Sequence, residues 1–264
     1  MTSEPDIILD EETTGLGAAP PSPPDVSASI PPEVLARATA AAEGYDPRHR
    51  LWPALKAVLW LYKTACIRHV RIQGRDRIVP GARILVSNHA RVSDSFLLPF
   101  IFGRLHGMAQ VESFTLPLLG RLLAKAGQVP VIPGRGREAL ERAQSLLHQG
   151  ETILIYPEGR LSHGSSLLRG KTGAARLAQR TGAPFQPVAV HVPEKHTRVL
   201  HGQFYGRRTV GVWQFGGTAY VAIGDPMRPF SGQERVTVAD LRRATEEVMT
   251  RVASLLEQAR AAAA

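Results

Sequence analysis

From Arg83 to Ile223 short apolar runs alternate with stretches of helical periodicity, and no other feature narrows the choice of fold as far. Arg83–Ser87 (RILVS), Gln128–Ile132, Thr152–Tyr156 and Phe185–Val192 are short, apolar and rich in β-branched residues, which predicts strands. Asp94–Leu105, Glu138–His148 and about Thr172–Thr181 read as helices between them, the second ended by Gly150. Val210–Phe215 and Tyr220–Ile223 look like a late strand pair. Val238–Ala259 reads as a long amphipathic helix with Leu241, Val248, Val252 and Leu255 on one face, capped by Thr237 and Asp240. Strands alternating with helices argue for an α/β fold with a mostly parallel central sheet flanked by helices. A length of 264 residues fits one such domain, and no internal repeat is visible.

The start of the chain reads differently. Residues 1–36 hold seven acids and no Lys or Arg, and seven prolines fall within residues 1–32. An acidic, Pro-rich stretch cannot bury enough apolar surface to offset its ordering entropy, so residues 1–32 are expected to be a disordered tail. They lack the basic start and apolar run of a signal peptide. All 32 basic residues and only 16 of the 23 acidic ones lie beyond residue 36, a net of +16 for that part. So basic a body should attract nucleic acid, anionic lipid headgroups or an acidic carrier. The single cysteine, Cys66, excludes a disulfide framework and a multi-cysteine zinc site and fits a reducing compartment.

Residues 33–70 read as N-terminal helices. In LWPALKAVLWLYKTACIRHV (51–70), Leu55, Val58, Leu59 and Tyr62 fall at helical spacing among Trp52, Trp60, Lys56, Lys63 and Arg68. No run reaches the ~20 apolar residues of a spanning helix. The stretch reads either as a helix in the membrane interface or as one packed on the core.

The chemistry concentrates in two loops. Ser87-Asn-His-Ala-Arg-Val-Ser-Asp94 leaves the first strand, with Ser93 placed to cap the next helix. Functional residues of α/β sheets collect where strands give way to loops at their C-terminal ends. There the Asp94 carboxylate could meet the Nδ1–H of His89, fix its tautomer and free Nε2 to take a proton from a hydroxyl. Tyr156-Pro-Glu-Gly-Arg160 follows another strand, so Glu158 and Arg160 should project at the same end of the sheet, with Ser162, Arg169 and Lys171 close behind. A carboxylate, a serine and three cations in one loop suit a phosphate-bearing headgroup.

Asn88-His89-x4-Asp94 and Tyr156-Pro157-Glu158-Gly159, about seventy residues apart, resemble the motifs of the glycerolipid acyltransferase family, which includes 1-acylglycerol-3-phosphate acyltransferases. Gly127-Gln-Val-Pro-Val-Ile132 with Arg135, Lys171 with Gly173-Ala-Ala-Arg-Leu177, and Gln186-Pro187-Val188-Ala189 resemble further blocks, over residues 70–225 in all. The resemblance implies a glycerol-3-phosphate acyltransferase-like domain over residues 71–260. It implies direct transfer of an acyl group from acyl-CoA or acyl-carrier protein to a lysophospholipid hydroxyl, with no metal or other cofactor. It assigns His89 as the base and Asp94 as its orienting partner, and makes Asn88, Arg135, Glu158, Gly159, Arg160 and Lys171 candidates for substrate binding. An anionic membrane surface would be the working place, on the cytoplasmic face of the cell membrane. Where the family loop runs Phe-Pro-Glu-Gly-Thr-Arg-Ser, this chain has Arg160 in the Thr place and Leu161 in the Arg place. That displaces the cation and leaves room for another lyso-lipid acceptor. Arg135 and Arg160, with the helix opening near Glu138, are expected to form a phosphate cradle.

Other chemistries find less in the sequence. There is no Gly-x-Ser-x-Gly elbow and no His-Glu-x-x-His. Gly164 and Gly170-Lys171-Thr172 are separated by five residues where a nucleotide-binding P-loop has four. Lys and Arg are spread along the chain without a nucleic-acid recognition motif, so a membrane surface accounts for the charge and no nucleic-acid partner is expected.

Overall fold

The computed structural model describes residues 49–264 except 117, 163–166 and 205–206, together with positions 32, 36, 39 and 40. The expected N-terminal tail, apart from Pro32, and most of residues 33–48 lie outside the described residues.

Two families of elements make three layers. The strands are β1 (His69–Gln73), β2 (Arg83–Ser87), β3 (Leu105–Gln110), β4 (Val129–Val131), β5 (Thr152–Ile155), β6 (Phe185–His191), β7 (Thr197–Phe204), β8 (Arg207–Gln214) and β9 (Thr218–Ile223). The helices are α1 (Trp52–Cys66), α2 (Asp94–Leu97), α3 (Pro99–Phe102), α4 (Leu119–Lys125), α5 (Gly136–His148), α6 (Gly173–Thr181) and α7 (Val238–Ala261). Seven strands form the central sheet in the order β1-β9-β6-β2-β5-β3-β4. Neighbours are parallel except β6 and β9, so the sheet is mostly parallel as expected.

The middle strands are buried on both faces, which is why RILVS and TILI read as unbroken apolar runs. Period-two alternation sends Ile84, Val86, Ile153 and Phe185 to one face, against Ala143, Leu146, Leu177, Val248 and Val252 of α5, α6 and α7. Leu85, Leu154, Val188 and Val190 go to the other, against Leu97, Leu98 and Phe102 of the short helices. The Thr237–Asp240 capping box of α7 forms as expected, each side chain accepting the other's backbone N–H.

Four local expectations are corrected. The helix read over Asp94–Leu105 is two single turns, because Pro99 opens a second turn and Gly103, at φ 82°, ends it. Leu105 already belongs to β3. Ser93 does not cap α2 through its side chain. Its hydroxyl accepts the N–H of Gln214 instead. The helical reading of residues 51–70 stops at Cys66, and His69 starts the edge strand β1. The late strand pair does not form either. β8 pairs antiparallel with β7, a hairpin outside the main sheet, while β9 slots between β1 and β6. Gly216 and Gly217, both at positive φ, turn the chain from the hairpin into the sheet.

α1 packs on the core along one face, as the second of its readings expects, and leaves its other face exposed. Leu55 and Leu59 are buried against Phe96, Phe100, Leu122 and Leu123, whereas Val58, Trp60 and Leu61 are exposed. Tyr62 fastens the helix to the hairpin base: its hydroxyl donates to the Gln214 carbonyl at 2.7 Å, and its ring meets Trp213 and Phe96 edge-on.

Candidate active site

β2 and β5 are parallel neighbours, so the loops leaving their C-terminal ends meet. His89 lies two residues past β2 and Glu158 three past β5, and the two loops are hydrogen-bonded through His89's own backbone. The His89 N–H donates to Glu158 Oε1 at 2.8 Å. The His89 carbonyl accepts from the N–H and hydroxyl of Ser162, at 2.8 and 3.2 Å. Glu158 Oε2 takes the N–H of Leu168 at 2.9 Å, which fixes the carboxylate from its other side. Glu158 is 3% exposed. Burial pushes its carboxyl up, opposed by these N–H donors.

The imidazole stacks on Tyr156, with ring centroids 3.9 Å apart and planes 13° from parallel. The Tyr156 hydroxyl is hydrogen-bonded to that of Ser95 at 2.9 Å, and burial, reinforced by the Asp94 charge, keeps it protonated by raising its pKa. Burial and the nearby Arg91 charge push the His89 imidazole down to about 4, so it is neutral at physiological pH. Its Nδ1 is buried and carries no hydrogen bond.

Asp94 does not make the expected bond to that nitrogen. It sits at the start of α2, where its carboxylate accepts the N–H of Arg91 at 3.0 Å and that of Ala90. The Arg91 guanidinium donates to its other oxygen at 3.2 Å. Arg91 is itself buried and also donates to the carbonyls of Val190, in β6, and Val192, just beyond it. A guanidinium without a carboxylate would be far costlier to bury, so the Arg91–Asp94 pair takes up the charge of both. Burial pushes the Asp94 carboxyl up and Arg91 opposes it.

The expected binding residues separate into groups. Asn88 faces the protein, not a ligand: its amide donates to the Val190 carbonyl and accepts the Val190 N–H, at 3.1 and 2.9 Å, which staples β2 to β6. Glu158, expected to orient Arg160 or an acceptor hydroxyl, holds the His89 backbone instead. Gly159, at φ 67°, makes the turn, and a Cβ there would lie 3.1 Å from Lys171 Nζ. Arg160 and Lys171 are exposed on this loop, at the same end of the sheet as His89. Arg135 follows β4, the sheet edge two strands from β5, and is ion-paired with Glu138 at 2.6 Å, so the expected cradle would have to draw it from that carboxylate. Ser162, read as part of a headgroup loop, holds the His89 carbonyl, and Arg91 and the Tyr156 ring are the site residues the sequence reading gave no role. An arginine inside the His-x4-Asp loop and an aromatic at the end of the β5 run were the signals for these two.

The arrangement offers a neutral base at a strand end, a carboxylate five residues on, and two exposed cations beside it. Comparison with known proteins agrees. The family model Acyltransferase matches residues 69–191. A 1-acyl-sn-glycerol-3-phosphate acyltransferase of Pseudomonas aeruginosa is 23% identical over 192 residues, covering 71% of this chain and 70% of that protein. A lyso-ornithine lipid O-acyltransferase of the same organism is 34% identical over 125 residues, covering 46% of each. The chain spans less than half the length of two chloroplast 1-acyl-sn-glycerol-3-phosphate acyltransferases it matches, 40% for Brassica napus and 43% for Arabidopsis thaliana. The crystal structure of the 1-acyl-sn-glycerophosphate (LPA) acyltransferase PlsC from Thermotoga maritima superposes with a TM-score of 0.59 at 23% identity, covering 85% of this chain and 87% of that one, which shows a shared fold. With both motif loops joined at the ends of β2 and β5, residues 69–191 share the fold and the motif arrangement of the acyltransferases that match them.

Proposed function

We propose that the protein transfers a fatty acyl group from an acyl thioester to the free hydroxyl of a lysophospholipid, with 1-acylglycerol-3-phosphate as acceptor and phosphatidic acid as product. The observation that carries this reading is the backbone clamp on His89. Three hydrogen bonds from the Pro-Glu-Gly loop hold a neutral imidazole at the mouth of a parallel sheet. Nε2 takes the acceptor's hydroxyl proton as its oxygen attacks the thioester carbonyl. The C–S bond breaks as the C–O bond forms, and the proton passes to the departing thiolate. Asp94, paired with Arg91, fixes the loop that carries His89. Arg160 and Lys171 meet the acceptor's phosphate.

The place of reaction is a membrane surface. The exposed Val58, Trp60 and Leu61 of α1 lie on a helix fastened to the β7–β8 hairpin, which also exposes Val199, Leu200 and Val210. Among the described residues no helix is long and apolar enough to cross a membrane. We infer peripheral attachment to an anionic surface, the cytoplasmic face of the cell membrane, with acyl-CoA or acyl-carrier protein arriving from the aqueous side.

A second acceptor class is favoured by a specific observation. Leu161 stands where the family has arginine, Arg135 is engaged by Glu138, and the lyso-ornithine lipid O-acyltransferase is a relative at 34% identity. An acyl-transfer assay against both acceptors, with both donor types, separates the readings. On the phosphate reading, Arg160→Ala and Lys171→Ala raise the KM for 1-acylglycerol-3-phosphate and leave the donor KM unchanged. Turnover of lyso-ornithine lipid alone would establish the second reading.

A further inference from the structure

The end of the sheet opposite the His89 loop carries a second cluster that acyl transfer does not use. His49 lies just before α1, His106 is the second residue of β3, and Glu151 immediately precedes β5. Parallel pairing of β3 with β5 sets the last two side by side. One nitrogen of each imidazole and one carboxylate oxygen lie within 4.8 Å of one another.

The hydrogen bonds of His106 define its tautomer. Nδ1 is 2.9 Å from the Gly127 carbonyl, which only accepts, so Nδ1 carries the proton. The ring is fully buried. With its one proton on Nδ1, the ring presents the Nε2 lone pair to Glu151 Oε2 at 3.3 Å. Two acceptors so placed are reconciled by a proton or a metal ion between them, and a second imidazole within reach favours the metal. A histidine whose far N–H is held by a backbone carbonyl is the usual arrangement of a metal ligand. Arg104 donates to Glu151 through Nε at 2.9 Å and through its terminal nitrogen, the kind of outer support that ligating carboxylates receive. Gly127 makes the room: a Cβ there would lie 2.1 Å from His49 Nδ1 and 3.0 Å from His106 Nδ1. The two rings meet with centroids 4.4 Å apart.

We propose that His49, His106 and Glu151 bind a divalent transition-metal ion of the zinc class, fastening the chain entering α1 to the N-terminal ends of β3 and β5. Two imidazoles and one carboxylate suit zinc, whereas magnesium and calcium prefer oxygen donors. Bonds of ~2.0–2.2 Å put tetrahedral donors ~3.4 Å apart, a spacing the His106–Glu151 pair already has. The His49 ring closes the remaining distance, and water fills the fourth position. The ion would sit the length of β5, roughly 13 Å, from the reacting end of the sheet. Its role is therefore structural and independent of the acyl-transfer reading.

The test uses the tag-free full chain, stripped with chelator and titrated with zinc chloride. Calorimetry and elemental analysis should give one zinc per chain, and Tm should rise by several degrees on loading. His49→Ala and Glu151→Gln should each weaken binding at least tenfold and abolish the Tm rise, while Cys66→Ser changes neither. His49→Ala keeps the test sound if substitutions at the buried His106 fail to fold, because His49 lies outside the sheet. Magnesium chloride in place of zinc should give no Tm rise. No stoichiometric zinc, or zinc bound with unchanged affinity by both His49→Ala and Glu151→Gln, would overturn the proposal.

Discussion

His89 is held by its backbone more than by its ring. Glu158 and Ser162 fix its N–H and carbonyl, and Tyr156 fixes the plane of the imidazole. Glu158→Gln replaces one acceptor oxygen by an NH2 facing a backbone N–H, so one of two buried bonds is lost. We expect stability to fall by ~1–3 kcal/mol and kcat to fall about a hundredfold through misplacement of the base, with acceptor KM little changed. Equilibrium denaturation and steady-state kinetics check both. The imidazole makes a second prediction. Its folded-state pKa lies below the ordinary value, so the ring stays unprotonated, and competent as a base, until pH falls toward about 4. The acid limb of kcat/KM in the free enzyme should therefore lie well below 6.5. A limb at the ordinary histidine value would mean that the ring is solvated. That His89, Asp94 and Glu158 lie in loops at one end of the sheet was legible in the sequence, because each loop follows an apolar run that reads as a strand. Their bonding was not, because nothing in the spacing says that Arg91 will claim Asp94 or that Glu158 will bind a backbone.

At the scale of elements, α1 divides cleanly. Leu59 is 5% exposed, whereas its neighbours Trp60 and Leu61 are 58% and 64% exposed. Trp60→Glu with Leu61→Glu should abolish co-sedimentation with anionic vesicles and leave the unfolding transition in place. Leu59→Ala should cost ~2–5 kcal/mol, because it empties a packed site, and leave vesicle binding per folded molecule unchanged. Undiminished vesicle binding by the Trp60, Leu61 double variant would assign α1 to the body of the protein alone. The central strands and the long helices α5, α6 and α7 could be read from pattern alone, because burial on both faces or on one stripe dictates composition. β1, β3 and β7 could not. β1 alternates exposed and half-buried residues, β3 (LHGMAQ) has no β-branched or aromatic residue, and β7 pairs with β8 in a hairpin outside the main sheet. Those strands are defined by their partners, and partners are set by tertiary register.

For the molecule as a whole, the mostly parallel sheet gathers both motif loops at one end, with α1 and the β7–β8 hairpin beside the His89–Asp94 loop. The Val92 N–H donates to the Val212 carbonyl of β8 at 2.9 Å, so the hairpin contacts the His89–Asp94 loop directly. On the proposed attachment of the basic body to anionic surfaces, binding should weaken as salt rises past the point where the Debye length drops below ~8 Å. The class of fold and the resemblance to acyltransferases followed from alternation and from motif blocks taken together. Which side chains face a ligand did not, as Asn88 and Arg135 show. The central claim is that His89 is the base of an acyl transfer. The most direct measurement is thiol release from acyl-CoA or acyl-carrier protein in the presence of lysophospholipid acceptors, comparing the wild-type protein with His89→Ala after matching their unfolding transitions. The account predicts acceptor-dependent release by the wild type and a loss of at least about a hundredfold in the variant; acceptor-dependent release that survives His89→Ala would contradict it.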